Sequence, residues 1–549
     1  MPVRSLSAGS FFDPEFVCPG VLKFGTMPWV LARSRSSWFP GWLFADWRGQ
    51  GRRGRDAWPA VVLVTLVLLR ASEQGMSRRA AVRRGSSDVV WRAAMGLSLG
   101  TSTPSERTLR DFERFLQRRH VQTQTPRYLL LHEHIVRACM KSGVFDSTKA
   151  AWAMDSTPMW CYGATRDTVR LLGDGLRMLA GAWGRATRCS LTAIAEKWQM
   201  PFLVAKSTKG AFDNDWSNDT ATGQVITQLA QYVVRVATLV RREVTSIRPS
   251  LRKGLLRKCR HLVRVVSDDL ETNSQGQLVI AERVAADRIV SITDPEARHG
   301  RKSKSQTFKG FKVHLLGEVV SGLIASVAVT KGNMHDGAPA QRLLRRAKDL
   351  CAEITQVLAD TAYGGARLRH IAQGACGVNL IAPPPPVNGK AGKLGKGDTI
   401  LDREARTVTC ANGVVTDDIR FVWSSEHGVH VPRVAWPKSA CDACPLSAQC
   451  RGKDTGGRRM LLHPYEDELR AAREAWSDPA TRKTYRTRSQ CERLVNQMTR
   501  YGGRQARAFG LKQAQMQAHA IAAASNLRLL ARALVARSRQ SPTAARAAA

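Results

Sequence analysis

Acidic residues are scarce in this chain. Its 549 residues carry 45 Asp and Glu against 84 Lys and Arg, a net charge of +39 with a pI near 10.7. Such an excess on a folded chain points to a polyanionic partner, most simply nucleic acid. Ribosomal and membrane-surface proteins share that balance, but the chain's size and its 14 tryptophans speak against the first. Cysteine is sparse as well. Twelve in a chain this long, most of them scattered singly, exclude a disulfide scaffold and fit a reducing cytoplasm. Long apolar runs are missing: the longest, Ala57 to Leu69, is too short for a membrane span and is bounded by arginines. The apolar patch Phe11–Phe16 has no basic-apolar-small cleavage pattern, so no signal peptide and no membrane association are expected.

What is present is a globular composition, 43% hydrophobic, with room for roughly three or four domains. Residues 1–50 are rich in Trp, Phe and Pro without a period and are left unassigned. Residues 51–145 read as a compact helical module: AWPAVVLVTLVLLRASEQ as a buried helix, then SRRAAVRRG, SSDVVWRAAMG and TPSERTLRDFERFLQRR. The last opens with a capping-box pattern, Thr103 to Glu106, with Pro104 at the first helical position. The module suits a helix-turn-helix DNA binder or a helical packing domain equally.

Residues 146–382 alternate in type. AAWAMDST is strand-like and ends at Asp155, where Ser-Thr-Pro stops regular structure. A helical insertion follows at about 165–265, its stretch 233–264 dense in Arg and Lys with few acidic partners, which suits phosphate contact. RIVSITD, FKGFKVHLLGE and SGLIASVAVT read as strands, the latter two as an antiparallel pair. Helix APAQRLLRRAKDLCAE, strand EITQVLAD ending at Asp360, a helix near Gly365–Gly374 and strand GVNLIA complete an α/β block. Residues 383–475 are a linker, Pro383 to Asp398, followed by short β-like stretches and a Cys cluster. Residues 476–537 hold two helices, and 538–549 read as a disordered tail.

On a helix from Thr481 to Arg500, Tyr485, Arg488 and Glu492 share one stripe, with Leu494, Val495 and Met498 as a docking strip. Asp155 and Asp360 each fall at a strand's end, the sheet edge where ligands collect. Three acidic side chains from separate elements of a basic protein suit divalent cations. Two Mg²⁺ (or Mn²⁺) ions about 3.5–4 Å apart in such a cage would activate a nucleophile and stabilise a leaving 3′ oxygen. Asp294 is the main rival for the second carboxylate, and Asp268 and Asp269 are weaker ones.

The stretches MDSTPM, VLADTAYGG and TYRTRSQCERLVNQMTR resemble bacterial insertion-sequence transposases of the DDE class, most closely the insertion-sequence eleven-eighty-two family. DVVWRAAMG, SERTLRDFERFL, TDPEARHGRKSKSQTFKGFKVHL and TKGNMHDG, which holds His335 and Asp336, extend the resemblance over most of the chain. It implies an RNase H-like mixed-sheet core. It also implies Asp155, Asp360 and Glu492 as catalytic metal ligands, double-stranded DNA as partner, and a homodimer on two DNA ends. Tyr485 and Arg488 match the family's Tyr-Arg-Glu-Lys signature on the phosphate side. Its lysine position is Thr499 here, with Arg500 beside it.

Finally, Cys441, Cys444 and Cys450 form a Cys-x₂-Cys-x₅-Cys run with Cys410 upstream. Four thiolates from two loops make a closed structural zinc site that would hold a small β-rich insertion together. His427, His430 or His463 could stand in for Cys410.

Overall fold

The computed structural model describes residues 13–33, 39–47, 57–143, 150–274, 278–282, 285–303, 305–385, 393–402, 404–425, 428–451 and 456–540. His427, part of the 383–398 linker and most of the expected disordered tail lie outside these residues, as do the expected domain boundaries at 50/51 and 145/146.

The central sheet is mixed. Its strands are β1 (Trp152–Trp160), β4 (Arg298–Arg301), β5 (Thr307–Glu318), β6 (Leu323–Lys331), β7 (Gln356–Leu358) and β8 (Asn379–Ile381); a small hairpin of β2 (Leu270–Thr272) and β3 (Leu278–Ile280) precedes β4. β5 lies antiparallel to β1 on one side. On its other side β4 pairs with its first residues and β6 with the rest. β7 then runs parallel to β1, and β8 parallel to β7. The helix Ala340–Leu350 carries the chain from β6 across β5 and β1 to β7, and the helix Ala366–Cys376 joins the parallel neighbours β7 and β8 by the crossover such a pair requires.

β1 does not stop at Asp155. It runs on to Trp160, with Pro158 opposite Lys312. Between Ala153 and Trp160, β1 has no strand on its β7 side among the described residues, an edge position where proline is tolerated. RIVSITD is not a strand either. Ile289, Val290 and Ile292 are buried, but Arg288 is tied by its side chain to Asp269 at 2.7 Å instead of by a ladder. Burial alone imitated the strand pattern.

The chain's last helix, Leu511–Gln540, is the spine of the molecule. Its alanines Ala518, Ala522 and Ala524 are fully buried, and their small size admits close neighbours. It packs on the helices Arg127–Lys141 and Ala60–Ala71, on Met27–Arg33, and on β6. The N-terminal helices are therefore not a separate body: Val62, Leu109, Phe112 and Leu116 share one apolar core with the sheet. The unassigned N-terminal stretch contributes Met27, Val30, Leu31, Leu43 and Phe44 to the same core. The helix expected to start at Thr103 begins at Glu106. Ser105, not Thr103, caps it by accepting the Thr108 N–H at 3.1 Å.

The insertion between β1 and the β2–β3 hairpin is helical as expected. Its helices Thr168–Thr187, Leu191–Trp198, Asp219–Glu243 and Pro249–Asp269 close around a core of their own that includes Leu176, Trp183, Leu229 and Leu262. Residues 400–462 form two small sheets. One joins β9 (Ile400–Asp402), β10 (Thr407–Thr409) and β11 (Val415–Thr416); the other joins β12 (Ile419–Ser424), β13 (Val429–Ala435) and β14 (Arg459–Leu461). Among the described residues Val408, Val434, Trp436, Met460 and Leu462 form their shared core. Such a core is too small to stabilise a module of this size alone. The end of the expected linker is tied to this module, where Lys393 Nζ donates to the Ala448 carbonyl at 2.9 Å. Among the described residues no helix is long and apolar enough to cross a membrane.

Candidate active site

Three segments distant in sequence bring their polar side chains together at the β1–β7 edge. Asp155 comes from the middle of β1. Asp360 follows β7 and caps the turn Thr361–Tyr363, its Oδ1 accepting the Ala362 N–H at 3.0 Å. Arg488 reaches in from the C-terminal segment, its Nη2 lying 3.1 Å from Asp155 Oδ2 and 3.8 Å from Asp360 Oδ2. A single guanidinium thus stands between two carboxylates.

Burial raises the Asp155 pKa above the usual carboxylate range. Arg488 and the Ser156 N–H oppose the rise, while Asp360 and Asp336 add to it. Asp360 is raised for the same reasons, burial first and Asp336 among the others. Asp336 is a third carboxylate in this group. It sits just after β6, salt-bridged to Lys312 at 2.6 Å, and accepts the Ser156 hydroxyl at 3.1 Å. Ser156 and Lys312 share a face of the sheet by register, Ser156 opposite His314 and Pro158 opposite Lys312. Beneath them Tyr363 is fully buried, and His314 bonds Thr330 Oγ1 through Nε2 at 2.8 Å. Asp336 had stood out only as part of a family-like stretch. Its position after a strand, like that of Asp360, was the signal available.

The expected helix Thr481–Arg500 is helical throughout but not uniform. An α-helix Pro479–Arg486 tightens into a 3₁₀ segment Thr487–Cys491 and reopens as an α-helix Glu492–Arg500. Leu494 and Met498 are fully buried and Val495 packs against the same core. Gly317 makes room for Leu494: a Cβ there would lie 3.0 Å from it and would press on the Leu323 carbonyl. Cys491 is buried beside the carboxylates; burial, then Asp155, pushes its thiol up to about 12. Tyr485 is half-buried, edge-on to Trp476 at 4.9 Å, and feels Arg488, Asp360 and Asp155.

Glu492 is exposed. Four residues turn about 400° in an α-helix but about 480° in a 3₁₀-helix, so tightening swings Glu492 from about 40° to about 120° away from Arg488. The stripe read from α spacing is broken at that point. Among the described residues no group of three or more His, Cys, Asp or Glu side chains is gathered closely enough to hold a metal ion as it stands. Arg500 is exposed one residue before Tyr501.

The rival acids have other partners. Asp269 is buried and pairs with Arg288, and Asp268 pairs with Arg264 at 2.9 Å. Asp294 is fully buried and accepts the Gly510 N–H at 3.0 Å just ahead of the long C-terminal helix. Burial pushes its carboxyl up to about 6.

The four cysteines Cys410, Cys441, Cys444 and Cys450 line one small cavity with Trp436, Arg451 and Arg458. None is in a disulfide. Burial, with Cys441, Cys410 and Cys444 alongside, raises the Cys450 thiol against the pull of Arg458. His430 and His463 do not line that cavity; His463 accepts the Tyr465 N–H at 3.0 Å.

Two family models match the chain. One, described as a Transposase DDE domain, covers residues 409–531; the other, a Transposase domain (DUF772), covers residues 41–114. Both matches are to transposase domains, and together they support reading the chain as a DDE-class insertion-sequence transposase, a family that implies DNA as substrate. The first match takes in Cys410, Cys441, Cys444, Cys450 and Glu492, and neither reaches Asp155 or Asp360. No curated protein and no solved structure matches the chain.

Proposed function

We propose that this transposase nicks DNA at the ends of an insertion sequence and joins the freed 3′-OH to target DNA, with Asp155, Asp360 and Glu492 holding two divalent cations. The observation that carries the reading is the convergence of Asp155 and Asp360 on Arg488, one turn ahead of Glu492. The six-stranded mixed sheet, in which β4, β6 and β1 pair antiparallel with β5 and then β7 and β8 run parallel to β1, supports an RNase H-like core. Mg²⁺ or Mn²⁺ bound there would lower the pKa of the attacking water or 3′-OH and stabilise the leaving 3′ oxygen.

The chain's own residues prepare that chemistry. Burial and mutual repulsion make Asp155 and Asp360 poor neighbours for each other, a cost a cation relieves. Arg488 supplies the missing charge. When cations take over that duty, its planar fork is free to hold a phosphate, with Tyr485 beside it; Arg500, about three turns further along, is exposed to meet a phosphate of its own. Asp336, held by Lys312 and Ser156, adds negative potential behind both carboxylates. In each step a water or 3′ oxygen forms a bond to phosphorus, the P–O3′ bond breaks, and the departing oxygen takes up a proton. The arginines of the helical insertion and the stretch 298–312 grip the DNA backbone, and two copies hold the two ends.

The Cys cavity is the place for a structural Zn²⁺. Four thiols lining one cavity of about 30 Å³ are the donor set of a tetrahedral zinc site, and although they are not gathered closely enough to hold an ion as they stand, a Zn²⁺ that drew them together as thiolates would stabilise a module with little core.

Metal-dependent cleavage of a DNA fragment carrying the element's flanking repeats tests the reading. Asp155→Ala, Asp360→Ala and Glu492→Ala are expected to lose cleavage and keep DNA binding, while Asp294→Asn cleaves. The exposure of Glu492 favours one second reading, a decayed copy that binds DNA without cutting it. Tight binding by the wild-type chain with no cleavage in Mg²⁺ or Mn²⁺ would establish that reading instead.

A further inference from the structure

The helix Arg78–Ser87 has two faces of opposite character. Ser77 caps it, accepting the Ala80 N–H at 3.1 Å. Its inner face is small and closely packed: Ala81 is fully buried, and a Cβ on Gly85 would stand 3.1 Å from Met95 Cε and 3.6 Å from Leu66 Cδ1. Its flanks are locked by ion pairs. Arg78 donates to the buried Glu113 at 2.5 Å, and Glu113 also takes Arg70 of the preceding helix. Arg84 bridges Asp88 at 2.9 Å and Glu73 at 3.3 Å and lies over the Trp91 ring.

The outer face carries Arg79, Ala80, Arg83, Ser86 and Ser87, all exposed. At about 100° per residue these five occupy a continuous sector of about 120°. No acidic residue lies in it, and among the described residues neither Arg79 nor Arg83 has an ion-pair partner. An ordinary solvated face would mix signs. Here the inward arginines are all paired and the outward two are left open, four residues apart, with short side chains around them. That is the shape and charge of a helix that lies in the major groove of duplex DNA, where an arginine fork reads the guanine edge.

The turn leading into this helix is fastened to the catalytic segment. Arg507 donates to the Glu73 carbonyl at 2.8 Å and to the Tyr501 carbonyl at 2.7 Å. Arg528 donates to the Ser72 carbonyl at 3.1 Å and to the Tyr501 hydroxyl at 3.0 Å. Gly502, at φ +79°, lies so close that a Cβ would stand 3.0 Å from Gly75 N. Tyr501 directly follows the helix Glu492–Arg500. We propose that the helix Arg78–Ser87 reads the element's end in the major groove through Arg79 and Arg83, and that Arg507 and Arg528 fix the DNA so read in register with the Glu492 helix. This rests on the transposase reading above and assigns its sequence recognition to one helix.

The test uses the full chain and two duplexes at one salt concentration: the DNA flanking the coding sequence, and the same bases scrambled. Wild type should prefer the flanking duplex. Arg79→Ala/Arg83→Ala should lose about 10- to 100-fold of that preference for each base contact removed, while affinity for the scrambled duplex and the melting temperature hardly change. Arg79→Lys/Arg83→Lys should keep the affinity for scrambled DNA and still lose preference, because lysine lacks the fork. A folded double-alanine variant with its preference intact would overturn the proposal, as would a wild-type chain without preference. Cleavage is scored separately. Preference lost in the variants with no cleavage by wild type sinks the catalytic reading and leaves this one standing; cleavage by wild type with preference unmoved does the reverse.

Discussion

Arg488 is the residue on which the site turns, because it holds the place of a cation between two carboxylates. Its removal leaves Asp155 and Asp360 buried without a counter-charge, so Arg488→Gln should bind Mn²⁺ several-fold more tightly in calorimetry while cleaving DNA poorly. Weaker Mn²⁺ binding would mean that the guanidinium does not compete for the site. The pH dependence follows with its sign. The carboxyls of Asp155 and Asp360 are raised above the ordinary range, so as pH falls they take up protons earlier than surface acids do and release metal. Arg488 lowers both and Asp336 raises both, so the acid limb of the pH–rate profile should move up in Arg488→Gln and down in Asp336→Asn. A limb that moves in neither variant would place the titrating group elsewhere. Asp155, Asp360 and Arg488 were legible in the sequence as motif residues. Asp336 was less so, because what brings it to the site is the register of β1 and β5, which a single sequence does not state.

The elements that carry these residues are packed more exactly than their propensities require. Tyr485, Arg488 and Glu492 form a stripe only if the helix is α throughout, and the 3₁₀ tightening at Thr487–Cys491 breaks it. No local residue announces that tightening: Thr-Arg-Ser-Gln-Cys contains neither glycine nor proline. What accompanies it is burial: Cys491, Leu494 and Met498, three and seven residues apart, anchor the segment to one core. Relaxation of the segment to α geometry would turn Glu492 toward Asp155 and Asp360. Amide exchange over 488–492 should therefore slow when DNA and Mn²⁺ are added together, and unchanged exchange would argue against the turn. The reading helix and its clamp give two further tests. Ser77→Ala removes a cap worth about 1 kcal/mol. Gly502→Ala forces a side chain onto left-handed backbone beside Gly75 N, costing about 1–3 kcal/mol. Both should lower the melting temperature, Gly502→Ala the more. A Gly502→Ala protein as stable as wild type would mean that the clamp is loose.

At the scale of the molecule, the order of elements was readable, and the helical insertion closes around a core of its own, but the tie between the two ends of the chain was not readable. Strands, insertion and Cys run follow one another as the apolar periods and turn residues indicate. The N-terminal helices looked like a domain because they are contiguous in sequence, yet the alanine-rich C-terminal helix, hundreds of residues away, joins them to the sheet in one core. The excess of 39 positive charges makes one global prediction. Affinity for non-specific duplex should fall about 10³- to 10⁵-fold between 50 and 200 mM salt if 6–10 phosphates are contacted, and a shallow dependence would mean that most of this charge faces away from DNA. The Cys module makes another. Cys444→Ser should release one Zn²⁺ per chain and expose 400–462 to proteolysis, with the sheet core intact; a chain that holds no zinc when purified without chelator would contradict it.

The central claim concerns where the catalytic cations sit. Anomalous scattering from Mn²⁺ in crystals of the chain bound to a pre-cut DNA end tests it most directly. The account predicts two manganese ions shared by Asp155, Asp360 and Glu492, with Arg488 withdrawn from the carboxylates onto a phosphate. Manganese bound elsewhere, or Arg488 still bridging Asp155 and Asp360 with DNA in place, would contradict it.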